Sequence, residues 1–281
     1  PRGDEGARRM RTAVSQLDLR RASSVDDALR MLSDEARTPI AGATDLYVAL
    51  NFGTLAPRRF VDIWGIDELR GISVRDNLLV MGGLTTYSAI IRSPLVAERL
   101  PMLVDAARQV GGPQIQNRGT IAGNIANGSP AADSVPVFAA ADAIVVLRSI
   151  DHERRIPITR FYTAYRASVM RADELIVAVE VPRVDGRQWF RKVGTRAAQA
   201  ISKIVVAGVR GAAPRFALGS VAPTVVRAYA TERALADGAP IEQAARTLHR
   251  EIAPIDDVRS SAEYRSLVAE RLLRRFWAET A

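Results

Sequence analysis

"QNRGTIAGNIANGSPAADS", residues 116–134, sets Gly119, Gly123 and Gly128 among Asn117, Asn124 and Asn127, then adds Ser129, Pro130 and Asp133. Glycine and asparagine disfavour a helix and proline interrupts one, so the run reads as irregular backbone rather than helix or sheet edge. Ile121, Ile125 and Ala126 still allow it to pass through an interior. Buried, amide-rich backbone suits a ligand that the main chain approaches closely. Thr120 offers a hydroxyl donor for a phosphate oxygen, Gly123 leaves room for the approach, and Asn124 and Asn127 both donate and accept. Asp133 is a candidate acceptor for ribose hydroxyls.

An earlier stretch, "PIAGATDLYVAL" (residues 39–50), is of the same kind. A β-type run enters Gly42, Ala43, Thr44 and Asp45, where a tight turn points backbone N–H groups outward as an anion nest. No Gly-Lys-Ser/Thr follows, which excludes a Walker A loop, and the three-glycine Rossmann spacing is missing. Taken alone, the stretch is better read as an ordinary strand-to-helix turn. Together the two segments fit an extended diphosphate cofactor, a dinucleotide with a flavin or nicotinamide at one end.

Composition narrows the chemistry. At 281 residues the chain holds one large domain or two ordinary ones. It contains no cysteine, which excludes disulfides, thiolate zinc sites and iron–sulfur clusters held by this chain. The two histidines, His152 and His249, have no ligand-like spacing, so a metal site or a histidine-activated nucleophile is not expected. The net charge of +8 comes from scattered arginines without interleaved aromatics, which argues against nucleic-acid binding. Only two of 39 basic residues are lysines, Lys192 and Lys203. Where arginine is the rule, a retained lysine points to a site needing a compact charge. No apolar run approaches the ~18 residues of a spanning helix. The opening "PRGDEGARRMRTA" lacks a secretory core and reads as a flexible tail over 1–13, with the cytoplasm as compartment.

Along the chain, residues 24–33 read as an amphipathic helix capped by Ser24, with Val25, Ala28, Leu29 and Leu32 on one face. "RFVDIW" alternates like a strand, and Ile72 to Gly83 reads as a hairpin turning at Asp76-Asn77. Thr86 or Ser88 opens a helix, "LPMLVDAARQVG" is another, and "ELIVAVEVP" is strand. Beyond "PRVDGRQ" the pattern changes to strands followed by helices, which places a domain boundary near 185. The class is α+β, with a tail over 1–13, a first domain over 14–185 and a second over 186–281.

"AGATDL" and "TIAGNIANGSPAADSVPV" resemble the two signature segments of the FAD-binding domain of molybdenum hydroxylases. Xanthine dehydrogenases, aldehyde oxidases and the medium subunit of bacterial carbon monoxide dehydrogenase belong to that family. The resemblance continues through "DELIVAVEVP" and "FRKVGTRAAQAISKI" and covers roughly residues 14–281. It implies a two-subdomain FAD-binding fold of the vanillyl-alcohol-oxidase-like type, followed by a small α+β C-terminal domain. It implies that Ile40, Ala41, Gly42, Ala43, Thr44, Asp45 and Leu46 wrap the diphosphate of a non-covalent FAD. Gly119, Thr120, Gly123 and Asn124 complete the grip with Asn127 nearby, and Asp133 takes the ribose. Leu175 and Ile176 press on the flavin or adenine, and Lys192 lies close to the flavin. Lys203 acquires no role and is expected in a structural ion pair.

The implied function is that of an FAD subunit in a heteromeric molybdenum hydroxylase, most like xanthine dehydrogenase. Electrons come from [2Fe-2S] clusters on a small partner subunit, fed by a molybdenum cofactor on a large one, and leave to NAD+. No general acid or base is expected on this chain. Two departures stand out: Gly-Ala-Thr replaces the frequent double glycine of the first turn, and Ala122 stands where glycine is frequent. "RAAQA" (196–200) carries Gln199 in place of an acidic run found in some members, which leaves the acceptor open. The alternatives are a carbon monoxide dehydrogenase or aldehyde oxidase type enzyme with a non-NAD acceptor, and an assembly module without catalysis. A flavin reductase of the related cell-wall type needs a proton-donating Ser and Glu that cannot be placed here.

Overall fold

The structure, a computed structural model, describes residues 14–197 and 199–281; the expected tail over 1–13 lies outside the described residues. The first layer comprises β1 (Asp18–Arg21), α1 (Val25–Asp34), β2 (Thr38–Ile40), α2 (Thr44–Asn51) and β3 (Arg59–Asp62). The three strands form a parallel sheet in the order β1-β3-β2. Helix α1 follows its sequence pattern: the Ser24 hydroxyl accepts the Asp27 N–H at 3.1 Å, and Val25, Ala28, Leu29 and Leu32 are its buried face. They join Val61, Ile63, Ile66, Leu69 and Leu84 in a core of their own.

The middle region opens with the hairpin β4 (Ile72–Arg75) and β5 (Leu78–Gly82). Asp76 and Asn77 both take positive φ, 47° and 65°, the two-residue turn whose twist matches that of the strands. Six short helices follow: α3 (Tyr87–Arg92), α4 (Pro94–Arg99), α5 (Pro101–Arg108), α6 (Pro113–Arg118), α7 (Ile121–Asn127) and α8 (Val135–Ala140). Then come β6 (Ile144–Arg148), β7 (Glu153–Pro157), the small hairpin β8 (Tyr162–Ala164) and β9 (Ala167–Ser168), and β10 (Leu175–Val181). Strands β4-β5-β10-β6-β7 make an antiparallel sheet whose side chains meet the helices in the main core.

Helices α6 and α7 correct the expectation of irregular backbone over the glycine-rich segment. Thr120 supplies a side-chain N-cap to α7, and Gly128, in the left-handed conformation at φ 60°, terminates it. Buried Ile121 and Ile125 anchor one face. Caps at both ends and apolar burial outweigh the poor helix propensity of a single turn or two.

Strands β11 (Arg187–Val193), β12 (Ile204–Arg210), β13 (Arg215–Gly219) and β14 (Val226–Arg227) form an antiparallel meander, followed by α9 (Tyr229–Ala236), α10 (Ile241–Glu251) and α11 (Ala262–Glu279). Alternation divides its side chains. Phe190, Val205, Ala207, Val209 and Ala217 pack into the main core, whereas Trp189, Ile204, Val206, Phe216 and Leu218 pack with α10 and α11. Gly208 admits the Phe276 ring so closely that a Cβ there would lie 2.7 Å from it. Among the described residues no helix is long and apolar enough to cross a membrane.

Candidate cofactor site

Ile40 ends β2 at the carboxyl edge of the parallel sheet, where open sheets of this kind receive ligands. The chain then bends through Ala41, Gly42 and Ala43, with Ala43 left-handed at φ 62° despite its methyl group, and enters α2 at Thr44 without a side-chain cap. The first helical bond is Tyr47 N–H to the Ala43 carbonyl at 2.9 Å. Among the described residues nothing accepts from the backbone N–H groups of Gly42, Ala43, Thr44, Asp45 and Leu46. Unclaimed donors at a helix start, oriented by the peptide dipoles, form an anion-binding nest.

The second segment lies directly against this turn. A Cβ on Gly42 would sit 1.7 Å from the Arg118 carbonyl oxygen, so glycine is required there by backbone contact. Asn127 Nδ2 donates to Asp45 Oδ1 at 3.2 Å, a second bridge across 82 residues. The first turn of α7, however, is not a second open nest. Ile121 and Ala122 donate to the carbonyls of Thr85 and Gly83, Gly123 to Thr120 Oγ1 at 3.1 Å, and Asn124 to the Thr120 carbonyl. The backbone donors of this turn are therefore already used, which leaves side chains as the donors this segment can offer. The Thr120 hydroxyl keeps its proton to donate, and a Cβ at Gly123 would meet only Thr120 Oγ1, at 3.0 Å. Asn124 Oδ1 accepts from Ser134 Oγ at 2.8 Å, and Ser134 touches the buried Tyr87 hydroxyl at 3.2 Å.

Asp133 and Lys192 form a buried ion pair at 2.6 Å, their side chains 11% and 6% exposed. Lys192 is therefore an interior lysine, and its Nζ also donates to the Gln109 carbonyl at 2.9 Å. Burial pushes the Asp133 carboxyl up to about 6 against the pull of Lys192. The Ser202 hydroxyl donates to the Ala131 carbonyl, and Asp133 Oδ1 is buried without a hydrogen-bond partner among the described residues. A buried carboxylate oxygen left over in this way calls for a donor from a ligand.

Leu175 and Ile176 are placed differently. Both side chains are buried, Leu175 in the core under the parallel sheet and Ile176 in the main core, so the main chain is what β10 offers to a site. Lys203 corrects the expected ion pair: its ammonium lies 5.1 Å from the centroid of the Tyr264 ring. Sequence reasoning also passed over the Gln109 carbonyl, which no composition signal marks, and Arg118, which stood inside the quoted segment. Beside Lys192, a cleft of about 410 Å³ is lined by Gln109, Arg191, Gly194, Arg196, Gln199 and Ala200.

Residues 15–184 match the FAD binding domain in molybdopterin dehydrogenase, and residues 189–280 match the CO dehydrogenase flavoprotein C-terminal domain. The chain belongs to the molybdopterin dehydrogenase FAD-binding family. It is 31% identical over 272 residues to the 6-hydroxypseudooxynicotine dehydrogenase complex subunit alpha of Paenarthrobacter nicotinovorans, covering 92% of each chain. It is 31% identical to the xanthine dehydrogenase FAD-binding subunit of Escherichia coli O157:H7, over 92% of this chain and 94% of that one. Among solved structures it is similar to the carbon monoxide dehydrogenase from Hydrogenophaga pseudoflava that lacks the Mo-pyranopterin moiety of the molybdenum cofactor. The TM-score is 0.87 at 29% identity, covering 95% of this chain and 99% of that one.

The fold is thus that of an FAD subunit of the molybdenum hydroxylase family, and FAD is its cofactor. The residues present suit such a ligand on their own terms: an open nest at Gly42–Leu46 for an anion, and an orphaned carboxylate oxygen at Asp133 for a hydroxyl.

Proposed function

We propose that this chain is the electron-transfer subunit of a heteromeric molybdenum hydroxylase of xanthine dehydrogenase type, working in the cytoplasm with NAD+ as acceptor. The observation that carries the site is the meeting of the open turn with the capped segment, at Gly42 against Arg118 and at Asp45 against Asn127. Ile40 to Leu46 would hold the diphosphate by backbone N–H groups, and Thr120 and Asn124 would add side-chain donors. Gly123 keeps that wall low, Gly119 lets the segment pack against Ile115 and the Tyr87 ring, Asn127 fixes the turn through Asp45, and Asp133 Oδ1 accepts from the ribose. Leu175 and Ile176 contribute backbone, and Lys192 holds Asp133 charged and oriented beside the flavin. When bound, FAD supplies the redox chemistry, and the protein's part is to position and tune it.

The chain has no cysteine, so iron–sulfur clusters belong to a partner, together with a molybdenum chain. The naming of relatives as a medium chain and as a complex subunit supports this heteromeric reading. The cleft beside Lys192 supports an anionic acceptor such as a dinucleotide, because arginines line it and, among the described residues, no carboxylate does. One observation favours a second reading, a carbon monoxide dehydrogenase or aldehyde oxidase type enzyme with another acceptor. Gln199 stands in that loop at φ 53°, where an acid shapes nicotinamide access in some members.

Co-purification with neighbouring chains, followed by anaerobic mixing with NADH, tests both. The expected result is a yellow three-chain complex whose flavin bleaches with NADH. Dyes that accept electrons from the complex while NADH leaves its flavin oxidised would favour the second reading. A chain that pulls down no partner and hydroxylates a substrate unaided would overturn both.

A further inference from the structure

Arg118 sits inside the glycine-rich segment, yet the proposed cofactor contacts give it no task. Its backbone and side chain face two different neighbours. The carbonyl lies against Gly42, where a Cβ would also come within 3.3 Å of Arg118 Cα. The guanidinium lies over the Trp64 ring, its carbon 3.8 Å from the ring centroid. Trp64 follows β3 closely, and the preceding Ile63 donates its N–H to the carbonyl of Ile40, the residue that leads into the first turn. Arg70 lies over the same ring at 4.6 Å and donates back to the Trp64 carbonyl, which steadies the indole. No carboxylate pairs with Arg118 among the described residues, so the stack is the contact that orients its side chain.

We propose that Trp64 and Arg118 form a positioning latch, which fixes the open turn at Gly42–Leu46 against the capped segment at Thr120 in the geometry that receives the diphosphate. The latch rests on the reading of that place as the FAD site. One residue grips the turn's backbone with its own carbonyl and the adjacent strand end with its guanidinium. A planar guanidinium on an indole holds direction as well as distance, which a lysine in its place does less well. Neither Trp64 nor Arg118 belongs to the buried apolar cores, so loosening the latch should shift the turn while the fold stays intact.

The test uses the full chain with Trp64→Ala, Arg118→Ala, the double variant and Trp64→Phe. Amide hydrogen exchange at Tyr47 and Ile63, whose N–H groups bond the carbonyls of Ala43 and Ile40, reads the turn without cofactor, FAD titration reads the site, and thermal melting reads the fold. Each alanine variant is expected to speed exchange at these two amides and to raise the FAD dissociation constant about tenfold, which is about 1.4 kcal/mol. The double variant should be no worse than the worse single one, because both remove the same contact. Trp64→Phe should recover part of the loss, since phenylalanine still offers a ring face. Unchanged exchange in both alanine variants, unchanged FAD affinity in both, or effects that simply add would overturn the latch. If wild-type chain bound no FAD, the cofactor reading would fall and the exchange measurement alone would decide the latch. If FAD bound equally well to all variants, the latch would fall and the cofactor reading would stand.

Discussion

Residues 42–46 reach the candidate site with their backbone N–H groups unclaimed, whereas Ile121 to Asn124 reach it with theirs already bonded to Thr85, Gly83 and Thr120. The two stretches share a vocabulary of glycine, threonine and small residues. What separates them is the supply of acceptors. Around α7 the β5–α3 connection delivers the Gly83 and Thr85 carbonyls and Thr120 caps its own helix, while the start of α2 has no side-chain cap. The open turn can therefore offer an anion its main chain, whereas the capped segment has only side-chain donors left to offer.

The largest effect should come from Lys192→Met on β11, which faces Asp133 at the far end of the capped segment. It leaves Asp133 buried without its counter-charge, a loss of about 3–5 kcal/mol at neutral pH by urea denaturation. The loss should shrink in acid, because a protonated Asp133 needs no partner. In the wild type the sign follows from the raised carboxyl of Asp133. Its contribution to stability is complete below the ordinary carboxylate value of 3.8 and is lost as pH rises through about 6. Asp133→Asn should remove that step from the stability–pH curve.

Gly42→Ala comes next and attacks the meeting point itself. A methyl 1.7 Å from the Arg118 oxygen must push the segments apart. Such overpacking costs about 1–3 kcal/mol, seen as a lowered melting temperature, and FAD binding should be lost with it. Thr44→Val should leave melting unchanged and weaken FAD by about 1 kcal/mol, the scale of one hydrogen bond to a phosphate oxygen. Equal affinity in Thr44→Val would remove that hydroxyl from the nest. Gly123→Ala should be the mildest, moving stability by less than about 1 kcal/mol, because a helical glycine gains by the change and only Thr120 Oγ1 crowds the methyl. A collapse of Gly123→Ala as severe as that of Gly42→Ala would erase the distinction between the two segments.

Some of this was written locally in the chain. The buried face of α1, its Ser24 cap and the Asp76-Asn77 turn depend on neighbours within a few residues, and the structure places each where the periodicity predicts. The scarcity of lysine singled out Lys192, and the absence of cysteine removed clusters from the chain before any fold was known. The kinship of the two glycine-rich segments was also legible, because both carry residues that permit close backbone approach, and the structure brings them together at Gly42 and Asp45.

The rest needed the tertiary structure. Composition argued against a helix over 121–127, since propensity counts neither the Gly83 and Thr85 carbonyls that arrive from another connection nor the burial of Ile121 and Ile125. Nothing near Asp133 in the chain announces Lys192, 59 residues on, as its buried partner. Nor does anything near Gly42 announce the carbonyl of Arg118 or the ring of Trp64 behind it. Caps and periodicities are properties of short segments, so the sequence alone determined them. Which polar groups remain unpaired is a sum over all the acceptors and donors that folding gathers, and only the tertiary structure decided it.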